Sequence, residues 1–224
     1  MDCNEQYRER RHHTVCYRKL GEIEGEPEVL NFWRKGKSFE GISDLRFVTD
    51  LTATSVDEGF FQEVCQMTQL KSLVIDKLEV SDLSMIANLE NLSHLHIVKL
   101  KPTKNMDVLC NISSLKKLWI DESKNITDYS FLKGAKGVIA LGVEGDIWTK
   151  QKIDSFSPFQ HLDNLEALFL SSVQVKDKNL DYFATNPKLK HLWISRCVPK
   201  SSFDSLRQLM PYLDCMWCDD YEAQ

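Results

Sequence analysis

The feature that most constrains this chain is an apolar triplet, at positions 1, 4 and 6 of a short segment, that returns at nearly constant spacing. Leu70, Leu73 and Ile75 form one copy. Leu92, Leu95 and Ile97 follow 22 residues later, Leu115, Leu118 and Ile120 after 23, and Val138, Leu141 and Val143 after another 23. Leu165, Leu168 and Leu170 come after 27, Leu189, Leu192 and Ile194 after 24, and Leu213, Met216 and Cys218 after 24 more. Ile42, Leu45 and Phe47 make a degenerate first copy 28 residues before Leu70. A recurrence at such a period marks stacked structural repeats, and it outranks any reading of a single element.

Positions 4 and 6 alternate with polar or variable positions 3, 5 and 7, the period of two of a strand with one buried face. Between the strands, segments such as Asp82–Leu89 and Ser202–Leu209 repeat their apolar residues at three and four, as a short amphipathic helix does. Each strand–helix unit has an apolar side it cannot bury alone, so the units must stack in a row.

The L-x-x-L-x-L triplets resemble the leucine-rich-repeat family over about residues 42–218. The resemblance implies an α/β fold, a leucine-rich-repeat solenoid with a curved parallel β-sheet on the concave face and short helices on the convex face. It implies a binding surface in general and no particular function. Residues 1–41 lack the repeat and are expected to form an N-terminal cap; residues 42–224 are expected to form a solenoid of seven to eight repeats. The sequence departs from the family at position 9, where the usual asparagine is replaced by Leu78, Leu100, Ser123, Asp146, Val173 and Cys197. The turn leaving each strand must therefore satisfy its buried backbone groups by other means. The long unit from 138 to 164 is expected to bulge as a loop near Gly145, Asp146, Ile147 and Trp148.

If positions 1, 4 and 6 face the core, positions 3, 5 and 7 face out over the concave surface. Position 5 reads Arg46, Val74, His96, Trp119, Gly142, Phe169, Trp193 and Trp217, an aromatic column. Position 3 includes His94, Lys117 and His191, and position 7 includes Asp76, Asp121, Glu144 and Asp219. Tryptophan dominates interface hot spots, and a contiguous exposed apolar patch marks a partner site. Trp119, Phe169, Trp193 and Trp217 are the expected anchors. The carboxylates, against Arg46 and Lys117, give the face a negative bias that would steer a basic partner. The competing reading is that the chain covers these rings itself, through residues 144–160 or its N-terminal segment.

Other constellations carry less. Cys215-x-x-Cys218 has the spacing of a redox or metal half-site, but in a strand residues i and i+3 point to opposite faces. That reading puts Cys218 in the core and Cys215 outside, in structural roles. His94 and His96 share a strand face and His191 repeats the position of His94; they are expected at an interface, the alternative being an enzyme or metal site built on all three. Arg8-x-Arg10-Arg11-His12-His13 is a small basic cluster at the terminus. Gly-rich phosphate loops, nucleophile elbows and HExxH are missing from the sequence, so no catalytic residue, cofactor or metal is assigned.

Composition narrows the partner. The net charge of −5 over 224 residues argues against direct nucleic-acid binding. No apolar run follows the terminal basic cluster, no membrane-length apolar stretch occurs, and seven cysteines are an odd number, so a cytoplasmic protein is expected. Small, acidic, irregular repeat proteins of this kind resemble bacterial immunity proteins. That resemblance implies capture and neutralisation of a cognate toxin, for which a basic toxin domain would be the fitting partner. The alternatives are an adaptor or effector that recruits a protein substrate, and self-association through the aromatic column; a monomer is favoured.

Overall fold

The computed structural model describes residues 6–7 and 15–221, so the terminal basic cluster around Arg10 lies outside the described residues. Strands β1 (Cys16–Tyr17), β2 (Val29–Trp33), β3 (Asp50–Asp57), β4 (Ser72–Glu79), β5 (His94–Val98), β6 (Lys117–Asp121), β7 (Ala140–Glu144), β9 (Ala167–Leu170) and β11 (His191–Ile194) form one sheet in that order. Every pairing within it is parallel, and the register matches the triplets: Leu73 lies beside Leu95, Leu95 beside Leu118, Leu141 beside Leu168 and Leu168 beside Leu192. The missing strands, β8 (Gln151–Ile153) and β10 (Val173–Val175), pair with each other in a separate two-stranded sheet.

Position 2 of each repeat carries a backbone ladder. Thr49 N–H bonds Glu28 carbonyl, Lys71 bonds Thr49, Ser93 bonds Lys71, Lys116 bonds Ser93, and the chain of bonds continues through Ile139, Glu166 and Lys190 to Asp214. This ladder corrects the first repeat. Val48, Leu51 and Ala53 occupy positions 1, 4 and 6, all buried, and Leu51 pairs with Leu73. Ile42 lies instead in a 3-10 turn over Ile42–Asp44. The earlier triplet looked plausible because its side chains are larger than Val48 and Ala53. Residues 16–33 add two further strands to the same sheet, with Leu30 and Phe32 in the core register.

The opposite layer is mostly 3-10 turns, over Ser84–Asn88, Met106–Asn111, Ser130–Leu132, Ser157–His161 and Asp181–Thr185. Besides Gln6 and Tyr7, only α1 (Glu58–Val64), α2 (Lys200–Leu209) and the single turn α3 (Met216–Asp219) are α-helical among the described residues. A repeat of 22–24 residues leaves few residues after the strand and its two turns, and a 3-10 turn spans the return in the fewest. Leu83, Ile86, Leu109, Leu132, Phe159, Phe183 and Phe203 from this layer pack on the strand leucines as one core.

Five strand exits are left-handed kinks at position 8. Ser55, Lys77, Lys99, Glu122 and Ser172 all adopt positive φ between 51° and 61°. The groups that asparagine would satisfy are met by serine and glutamine. Ser123 Oγ accepts the Leu100 N–H at 3.0 Å and donates to the Asp121 carbonyl at 3.0 Å. Ser195 Oγ accepts the Val173 N–H at 3.2 Å. Buried Gln151 Nε2 donates to the carbonyls of Ser123 and Ile126. The expected bulge reduces to a tip: Ile147 and Trp148 are 89% and 87% exposed, while the residues after them pair as β8.

Candidate partner-binding face

The sheet has a core side and an open side, and positions 3, 5 and 7 lie on the open side as the alternation requires. The centre of that side is nevertheless covered. Trp119 is 4% exposed and Phe169 is fully buried, in a second apolar cluster with Ala140, Ala167 and Tyr7. Trp119 can lie flat there because Gly142, its neighbour on β7, has no side chain; a Cβ at 142 would fall 2.0 Å from Trp119 Nε1. The Trp119 ring sits 5.4 Å from Phe169 and 6.0 Å from His94, centroid to centroid. Tyr7 closes the cluster from above. Its ring is 5.7 Å from His191, its hydroxyl donates to Glu166 at 2.9 Å, and Lys117 Nζ reaches the Gln6 carbonyl at 3.3 Å. The Tyr7 and Lys190 hydrogen bonds hold the Glu166 carboxyl below the usual carboxylate range. Trp119 and Phe169 are therefore covered by the chain itself. The sequence located their column but could not show that a residue far away in the chain roofs it.

The other expected residues divide by position. His96 Nε2 and Asp121 Oδ2 pair at 2.7 Å, both largely shielded, while His94 stacks on Trp119. Glu144 is 6% exposed. Asp76 is partly open, 3.7 Å from Lys99. Arg46 is not on the open side; it precedes β3 and reaches the Gln66 carbonyl, a consequence of the corrected first repeat. His191 stands four strands from His94 and His96, about 19 Å along the sheet at ordinary strand spacing. The three histidines do not converge, and among the described residues no cluster of three potential metal ligands occurs.

The open surface lies at the C-terminal end. Trp193 on β11 aligns with Phe169 but is 53% exposed. Beyond it the ladder stops at Asp214, and the chain turns into α3 instead of a further strand. Met216 is consequently 59% exposed rather than a core residue, and Trp217 and Asp219 stand on a helical turn. Trp217 is half-buried, its Nε1 donating to the Ile194 carbonyl at 2.6 Å, with the Arg196 guanidinium 5.4 Å from its ring centre. Asp219 pairs with Arg207 at 2.6 Å. Trp193, Met216 and Trp217, with Leu192, Ile194, Ser171 and Ser195, line a groove of about 350 Å³. His191 and Asp214, paired at 2.8 Å, form its rim. Sequence reasoning missed Tyr7, Met216 and Asp214; only the failure of Met216 as a core leucine equivalent could have signalled the last two.

No protein-family model and no curated protein matches the chain. Solved structures do. A leucine-rich-repeat protein of Leptospira interrogans is 18% identical with a TM-score of 0.50, the match covering 88% of this chain and 57% of that one. The fold is a leucine-rich-repeat solenoid. Toll of Drosophila, in complex with Spatzle, matches at 16% identity and a TM-score of 0.51, over 78% of this solenoid and 28% of Toll. TLR13, in complex with ssRNA13, matches at 17% and 0.57, over 74% and 24%. The solenoid thus spans less than two thirds of each of these relatives, and the likeness is one of fold. No described helix is long and apolar enough to cross a membrane.

Proposed function

We propose that the solenoid is a protein-binding module that seats its partner in the C-terminal groove of the concave face. The observation that carries this reading is Trp193, a tryptophan left 53% exposed on a sheet whose neighbouring rings are buried, beside a second exposed apolar side chain, Met216. Exposed aromatic anchors over a preformed groove are what an interface hot spot needs. The partly open Asp76 and Asp214, with the net charge of −5, favour a basic partner through faster encounter. Toll in its complex with Spatzle has the same fold and is a binding protein, which lends the reading general support.

The most specific form of the proposal is an immunity protein that neutralises a basic toxin domain in the cytoplasm, acting by occlusion with no catalysis of its own. An adaptor that recruits a protein substrate would use the same groove. Affinity capture from the native source, with wild type beside Trp193→Ala/Met216→Ala, tests the proposal. One stoichiometric partner lost from the variant supports the groove. Inhibition of that partner's toxic activity selects the immunity reading over recruitment. Equal recovery by both baits would place the interface elsewhere.

A further inference from the structure

The turn at Met216–Asp219 holds chemistry that partner binding does not use. The strand reading of Cys215-x-x-Cys218 put the two sulfurs on opposite faces, and the structure reverses it. Cys215 is extended, with φ −149° and ψ 109°, and caps α3; the Cys218 N–H donates to the Cys215 carbonyl at 3.0 Å. Cys218 is thus the third residue of the turn that Cys215 caps. This is the spacing at which a capping side chain folds back over the third residue. The two thiols accordingly hydrogen-bond each other. Cys215 is 1% exposed and Cys218 is only partly covered, so one sulfur is sheltered and the other can be reached.

Three other described thiols differ. Burial pushes Cys65 up to about 12 and Cys197 up to about 11, and burial also raises Cys110. All the described cysteines are free. In the pair, the hydrogen bond from Cys218 draws the Cys215 sulfur below the ordinary thiol range, with the Arg207 guanidinium adding to the effect, while Cys218 is held above it. Arg207 is fixed beside them by its bonds to the carbonyls of Pro211 and Leu213 and to Asp219.

We propose that Cys215 and Cys218 are a redox dithiol that closes to an intramolecular disulfide by exchange with a small-molecule disulfide of the glutathione type. As the reachable Cys218 sulfur attacks, it gives up its proton to solvent. One sulfur–sulfur bond of the oxidant breaks, a mixed disulfide forms on Cys218, and the first thiolate leaves. That thiolate takes a proton from solvent, and Cys215, giving up its own proton, attacks the Cys218 sulfur, which expels the second. The second thiolate is protonated from solvent. Two protein thiols are oxidised and one disulfide is reduced to two thiols. Met216 and Trp217 lie between the two cysteines, so the closed ring would lock one wall of the groove. That consequence rests on the binding proposal, whereas the redox chemistry does not.

The test is titration of the full chain with mixtures of reduced and oxidised glutathione, followed by alkylation of free thiols and peptide mass mapping. The expected result is loss of two alkylatable thiols in the peptide holding residues 215 and 218, joined to each other and recovered by reduction. Cys215→Ser should trap glutathione on Cys218, whereas Cys218→Ser should leave sheltered Cys215 unmodified while circular dichroism confirms folding. A wild-type pair that stays reduced up to oxidised glutathione alone would overturn the proposal, with or without a folded variant. Equal trapping on both folded single variants would overturn the assigned order of attack. Neither outcome depends on a partner, so failure here is separable from failure of the binding proposal.

Discussion

Gly142→Ala offers a sharp perturbation of the concave face, because it adds one methyl group where the structure has no room. The added carbon would lie 2.0 Å from Trp119 Nε1, 2.2 Å from Cδ1 and 2.5 Å from Cε2. Ordinary contact is about 3.5–4.0 Å, so the indole must move by about 1.5 Å or more. It cannot slide along the sheet, since Phe169 and His94 flank it, and Tyr7 roofs the cluster. The ring must swing outward. Exposing about 100 Å² of a tryptophan, roughly half of what such a ring buries, costs about 2.5 kcal/mol at 25 cal/mol per Å². That agrees with the usual overpacking cost of about 1–3 kcal/mol. For a chain of this size the expected fall in Tm is roughly 5–10 °C. Thermal and urea unfolding should be followed by circular dichroism for wild type, Gly142→Ala, Trp119→Ala and the double variant. Trp119→Ala alone removes a buried ring and costs about 3–5 kcal/mol. Once it is gone, the three atoms nearest the added methyl group go with it, so the double variant should be no less stable than Trp119→Ala. A neutral Gly142→Ala, or strict additivity in the cycle, would show that the indole does not lie flat over residue 142.

Three further perturbations probe other devices. Lys77 holds a left-handed φ of 61°, so Lys77→Gly should stabilise by about 0.5–1 kcal/mol in urea unfolding; destabilisation would mean that the kink carries no strain. Ser123→Ala leaves the buried Leu100 N–H without its acceptor and should cost about 1–3 kcal/mol, with faster hydrogen exchange at the Leu100 amide; unchanged exchange would contradict the role given to Ser123. Tyr7→Phe removes the largest cause of the lowered Glu166 carboxyl, so Glu166 should titrate closer to its ordinary value by NMR. A depressed carboxyl contributes stability above its unfolded pKa and loses it as pH falls through its folded pKa. The variant should therefore lose less stability than wild type on acidification, and an unshifted Glu166 would refute the Tyr7 contact.

Most of the sheet is legible in the sequence, because Leu, Ile and Val at positions 1, 4 and 6 both define the strands and fill the core. The reading fails where that redundancy thins. Val48 and Ala53 are too small to stand out against Ile42 and Phe47, and the register of Arg46 falls with them. At the other end Leu213 keeps the pattern, but Met216 and Cys218 mimic it inside a helical turn, which inverts the exposure of Cys215 and Cys218. Convex helices become 3-10 turns because repeat length, not apolar period, limits them. Trp119, Phe169 and Trp193 lie on the open side of the sheet, yet the first two are covered by Tyr7, whose partner Glu166 lies 159 residues away. No local pattern encodes that contact. Trp193 is the expected anchor that both lies in the column and stays open.

The proposed function requires a partner held in the groove around Trp193. Once affinity capture has identified the partner, the direct measurement is titration calorimetry of that purified partner against wild type and Trp193→Ala/Met216→Ala. Alanine at hot-spot residues typically costs about 2 kcal/mol or more, so the account predicts a Kd raised by about thirtyfold or more with folding unchanged. An unchanged Kd in a folded variant would contradict it and move the interface off the C-terminal groove.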